Sequence, residues 1–169
     1  GVRSHSGLTG GDAKKLAVAA GAEGFVNLLG EKALDAVIYA TAVGECNAAM
    51  GRIVAAPTAG ASGVLPGVFF ALKKHCGLDD ATLQRGMVVA GSIGMVINER
   101  ASLAGAMGGC QAECGSAAAM AAGAAVSMLG GTPQQVGTAV AVVFKNVLGL
   151  VCDPVAGLVE VPVSYTHLR

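Results

Sequence analysis

Residues 108–135 read GGCQAECGSAAAMAAGAAVSMLGGTPQQ, and this stretch decides the fold class. Residues 112–129 are dominated by alanine, the best helix former, and Gly130 with Gly131 closes that helix. Thr132, Pro133 and Gln135 then start another. Threonine caps, proline occupies a first position where its missing N–H costs nothing, and glutamine three residues on reaches back. This second helix is expected to run to Leu148, with Gly149 as its end. The uncharged run of residues 115–144 is interrupted at 130–135, so each half falls short of the roughly 20 apolar residues needed to span a bilayer. Alanine and glycine prevail over leucine and isoleucine in both halves. They read as buried core helices.

Working outward, Asp12 can cap a short helix reaching Gly21. Residues 30–50 place Leu34, Val37, Ile38 and Ala42 at helical spacing, with Gly51 as a stop. Residues 53–63, IVAAPTAGASG, are too rich in small and turn-forming residues for a helix throughout. Residues 64–76 form a helix with Lys73, Lys74 and His75 at the end the macrodipole prefers. Another begins at Asp79 or Asp80 and runs to about Asn98, with Gly86, Gly91 and Gly94 suited to close packing inside it. Residues 101–109 make a second glycine-rich turn. No segment alternates as a strand does. The expected class is all-α: one domain of about six Ala/Gly-rich helices with glycine-rich functional loops.

Composition narrows the function. Eleven basic and eleven acidic residues give zero net charge, and only 13% of residues are charged. Nucleic acid and anionic membranes are therefore not expected partners. Mean hydropathy is high, at +0.63. The five cysteines (Cys46, Cys76, Cys110, Cys114, Cys152) are odd in number and irregularly spaced, which fits reduced cytoplasmic thiols better than a disulfide framework. The chain opens on Gly1 instead of methionine and is expected to be a fragment.

Two cysteines stand where a thiolate can be aimed. Cys110 lies directly before a helix N-terminus, which favours the thiolate. Cys152 lies in residues 148–163, LGLVCDPVAGLVEVPV, where Asp153-Pro154 ends any helix. Thiolates at loop–helix junctions suit zinc or an iron–sulfur cluster, although a free cysteine is more often a small buried residue. Cys114 could share a face with Cys110, but packing as an alanine equivalent is preferred for it, as for Cys46 and Cys76. His75 reads as a solvated helix-end residue. Ser4 to Asp12, SHSGLTGGD, offers hydroxyls and backbone N–H groups for a carboxylate, with an ordinary capped turn an equal alternative. Residues 56–63, APTAGASG, have the same character through Thr58 and Ser62, without the lysine of a phosphate loop.

The segments SGLTGGDA, ECNAAMGRIVAAPTAGASGVLPG, GGCQAECGSAAAMAAG, GGTPQQ and KNVLGLVCDPVAGLVEVP, in this order, resemble the catalytic α-subunit or domain of bacterial iron–sulfur L-serine dehydratases. The resemblance implies deamination of L-serine to pyruvate and ammonia with an oxygen-sensitive [4Fe–4S] cluster, three cysteines holding three irons. It implies that Cys110 and Cys152 are two of these ligands and that the third belongs at position 163, where this chain has Val163. It also implies a β-subunit or β-domain partner, an oligomer and a cytoplasmic place in amino-acid catabolism and gluconeogenesis. On this reading residues 1–163 are a fragment of the α-type catalytic domain, and residues 164–169, SYTHLR, are a non-native tail. The fragment itself is expected to be inactive.

In this chemistry a Lewis acid helps a poor leaving group depart, and a base removes the α-proton. Ser6, Thr9, Gly10, Gly11, Thr58 and Gly60 are the candidate substrate-binding residues. Lys145 and His5 are the available candidates for the base. Two rivals differ in kind: a zinc hydrolase built on Cys110, Cys114 and Cys152, and a non-catalytic helical module that binds a membrane or a partner.

Overall fold

The computed structural model describes residues 2–148 together with 154–155 and 158–159. Its elements are α1 (Asp12–Ala20), α2 (Gly30–Ala48), α3 (Val64–Cys76), α4 (Asp80–Arg100), a short α5 (Gly105–Gly108), α6 (Ser116–Met128) and α7 (Pro133–Val147). A π-helical turn, Gln111–Gly115, leads into α6. Two-residue strands β1 (Pro154–Val155) and β2 (Leu158–Val159) pair antiparallel. The expected all-α single domain is what forms, with six helices of nine residues or more among the described residues.

Helix α6 is central, packed by α3, α4 and α7. Ser116, Ala117, Ala119, Met120, Ala121, Gly123 and Ala124 are buried on it, so it needs no polar face. Its small side chains let neighbours approach closely. A Cβ at Gly123 would strike Ile93 of α4 and sit 3.1 Å from Val140 of α7. The core around it joins Leu65 and Phe69 of α3 to Ala90 and Ile97 of α4.

Two helix starts form as the sequence predicts. The Asp79 carboxylate accepts from the Thr82 N–H at 2.8 Å, and these Thr82 bonds hold the Asp79 carboxyl below its usual range. Thr132 and Gln135 form a reciprocal capping box. Helix α1 differs from expectation. Asp12 lies inside it and pairs with Lys15, while Gly11, at φ 85°, occupies the cap position. The capping carboxylate comes from Glu45 on α2, whose Oε1 accepts from the backbone N–H groups of Asp12 (2.5 Å) and Ala13 (3.0 Å). A buried acid is thereby satisfied by the orphan donors of another helix.

His75 also departs from its solvated reading. Its side chain is only 15% exposed, and Nε2 lies 2.5 Å from the Asp35 carboxylate. Lys74 reaches the same carboxylate at 2.7 Å. Hydrogen bonds from Lys74 and then His75 hold the Asp35 carboxyl below the usual range. Lys74 and His75 do lie in the last turn of α3, but the partner that covers them, Asp35, belongs to α2 alongside, which no local pattern in residues 64–76 reveals. No described helix is long and apolar enough to cross a membrane.

Candidate functional site

Both polar glycine loops are fastened to the last turns of α2. The first, residues 4–11, folds back on itself: the Ser4 N–H donates to the Thr9 carbonyl at 2.9 Å, and the Thr9 N–H donates to Ser4 Oγ at 3.2 Å. Arg3 and Gly10 form an antiparallel bridge, and a Cβ at Gly10 would strike the Val2 carbonyl oxygen. Gly10 is thus required by the turn itself. Glu45 holds the end of this loop through the start of α1. Two residues on, Asn47 Nδ2 donates to the Ala59 carbonyl at 3.1 Å and holds the second loop, residues 53–63.

Beside the first loop stands a cation that sequence reasoning passed over. The Arg3 guanidinium lies 3.7 Å from where a Gly11 Cβ would stand, and Arg3, Lys14 and Lys15 line the same depression. An anion there would meet positive charge as well as backbone donors. Ser6 is exposed, and its Oγ lies 3.1 Å from Ser4 Oγ.

The second loop meets the cysteine-bearing turn. Thr58 Oγ1 accepts from the Ala61 N–H at 3.4 Å, which leaves the hydroxyl hydrogen to donate. A Cβ at Gly60 would lie 3.9 Å from that oxygen and 3.8 and 3.9 Å from the carboxylate oxygens of Glu113. Glu113 belongs to the π-helical turn, three residues after Cys110. On its other side, a Cβ at Gly105 would fall 2.6 Å from Glu113 Oε2. Thr58, Gly60, Gly105 and Glu113 therefore converge beside the turn that begins at Cys110. Ser62, in the same loop, is 3% exposed with its hydroxyl unpartnered.

Glu113 was missed in the sequence although a signal was present: it is the sole charged residue between Arg100 and Lys145. The candidate bases are both exposed, His5 in the first loop and Lys145 on the outer face of α7.

Cys110 is buried, at 6% exposure. It follows Gly109, which takes φ 72°, and stands at the head of the π-helical turn. Ser116 donates its hydroxyl to the Ala112 carbonyl, filling an acceptor within that turn. Cys114, half-buried, lies in the same turn, whereas an α-helical position was expected. Among the described residues no three His, Cys, Asp or Glu side chains gather as a metal site. Cys152 and Val163 lie outside the described residues, as do Gly149 and residues 164–169. The turn packs on the end of α7, where a Gly115 Cβ would sit 3.1 Å from Val147.

Residues 1–164 match the family described as serine dehydratase alpha chain. The chain is 54% identical over 162 residues to a probable L-serine dehydratase alpha chain of Bacillus subtilis, covering 96% of this chain and 53% of that protein. It is 50% identical to the L-serine dehydratase alpha chain of Peptoniphilus asaccharolyticus, over 83% of this chain and 48% of that one. An L-serine dehydratase of Streptomyces coelicolor is 49% identical over 74% of this chain and 28% of its own length. The chain spans about half the length of the alpha chains from the first two organisms.

Proposed function

We propose, from the premise that this chain belongs to the serine dehydratase alpha chain family, that it forms part of the catalytic centre of a cytoplasmic enzyme that deaminates L-serine to pyruvate and ammonia. The match over residues 1–164 carries this reading, and the convergence of Thr58 and Gly60 on Glu113, in the turn headed by Cys110, supports it. The first loop, with Ser6, Thr9, Gly10 and Gly11 backed by Arg3, binds the carboxylate. Thr58 and Gly60 orient the other end of the amino acid.

The site's donor chemistry fits a [4Fe–4S] cluster at one described position. Cys110 is a buried thiol at a loop–helix junction, next to a glycine that lets a bulky group approach. Cys152 is the second ligand. Support comes from the packing of the Cys110 turn against Val147, five residues before Cys152 and within the reach of an extended chain of about 17 Å. When bound, the cluster supplies Lewis acidity for loss of the serine hydroxyl. Val163 stands where a third thiolate is expected, so this chain in isolation is inactive. Exposed Met87, Val88, Met95 and Val96 on α4 support a further portion of the enzyme, a β-subunit or β-domain, packing there.

The test is anaerobic co-production with the β portion, with iron, sulfide, pyruvate and ammonia measured. Restoring the thiol by Val163→Cys is expected to raise bound iron and sulfide and yield equimolar pyruvate and ammonia, and Cys110→Ala to abolish both. Colourless protein retaining zinc would overturn the reading in favour of a zinc enzyme.

A further inference from the structure

We propose that Glu113 is the residue that binds the α-ammonium group of the substrate, an inference that rests on the reading of this site as an amino-acid site. The carboxylate is half-buried within an otherwise uncharged segment, residues 101–144. Among the described residues, no hydrogen bond or ion pair reaches it. The two other carboxylates that are not exposed among the described residues are both satisfied, Glu45 by two N–H groups and Asp35 by Lys74 and His75. The oxygens of this half-buried carboxylate keep contact with solvent, and with no described cation of the chain paired to it the group is open to one that arrives from outside.

The surroundings say which kind of cation. Gly60 and Gly105 flank the carboxylate: it packs directly against Gly105, while the space left by the missing side chain of Gly60 borders both oxygens. A small –NH3+ group fits such a gap better than a guanidinium, and its three donors match two carboxylate oxygens and the Thr58 hydroxyl. A primary ammonium held there lies beside the turn headed by Cys110. Gly105 acts as a spacer: a methyl at that position would fall 2.6 Å from Glu113 Oε2 and drive the carboxylate out of place.

The experiment uses the complete enzyme, β portion and cluster included. L-serine kinetics are compared with inhibition by glycerate, which keeps the hydroxyl and carboxylate but lacks the ammonium. Glu113→Gln is expected to raise the serine KM at least tenfold while the glycerate inhibition constant stays within twofold. Gly105→Ala is expected to raise KM in the same sense with the charge intact, and it decides the matter if Glu113→Gln does not fold. Equal weakening of serine and glycerate, or an unchanged KM with lowered kcat, would overturn the assignment. A wild-type enzyme that neither consumes L-serine nor is inhibited by glycerate would instead sink the amino-acid reading on which the assignment rests.

Discussion

The α2–α3 and α4–α6 crossings are both made by glycine, but the glycines meet different things. On α3, a Cβ at Gly67 would stand 2.7 Å from the Ala36 carbonyl oxygen and 2.9 Å from Ala40 Cβ, and one at Gly63, the residue just before the helix, would meet the Ala40 carbonyl oxygen at 2.5 Å. Here backbone lies against backbone. On α4, Gly86 faces Met128, and a Cβ at Gly94 would be 3.1 Å from the Met120 thioether. Methionine can swing aside; a helix carbonyl cannot move without its helix. The same residue type thus sets a rigid crossing in one place and an adjustable one in another. The rigid crossing is the one that carries the second glycine loop, since α2 ends and α3 begins on either side of it.

The largest expected effect tests that contrast directly. Gly67→Ala should cost about 2 kcal/mol by denaturant unfolding, the overpacking penalty exceeding the gain in helix propensity. Gly94→Ala should stay within about 0.5 kcal/mol of wild type, because propensity and a small methionine shift offset each other. Equal costs would break the comparison.

The ion pair across the rigid crossing comes next. Asp35→Asn should lose about 1 kcal/mol at pH 7, since Lys74 and His75 keep only a neutral partner. Asp35 is held below its usual pKa in the fold. Its contribution is therefore present above the unfolded carboxylate value of about 3.9 and lost as pH falls through the folded one. Wild type and Asp35→Asn should stay apart above about pH 4 and converge only as pH falls from there through the lower, folded value. Smallest is Gly91→Ala on α4, where a Cβ meets nothing within 4 Å. It should stabilise by up to about 1 kcal/mol. A loss would show that not all glycines spared by the α4–α6 contact are idle.

What the sequence revealed was local. Thr132-Pro133-Gln134-Gln135 announces its helix because cap, proline and glutamine act within one turn. Asp79 does the same through Thr82. The alanine run of α6 names a buried helix because no polar face is present. Features made by distant residues stayed hidden. Glu45 caps a helix that begins 33 residues earlier, and no pattern in residues 4–21 asks for it. Glu113 reaches Gly60 and Gly105 only because two loops converge. Of the candidate site, Thr58 and Gly60 were legible as a polar glycine loop, whereas the acid facing them required the fold.

The π-helical turn before α6 works as a phase setting. Each residue of an α-helix advances by about 100°, so accommodating one extra residue at Gln111–Gly115 turns everything upstream by that much relative to the buried axis. Cys110 and Glu113 owe their bearings to this offset. A deletion of one residue there would leave every side chain of α6 in register and still point both of them in the wrong direction.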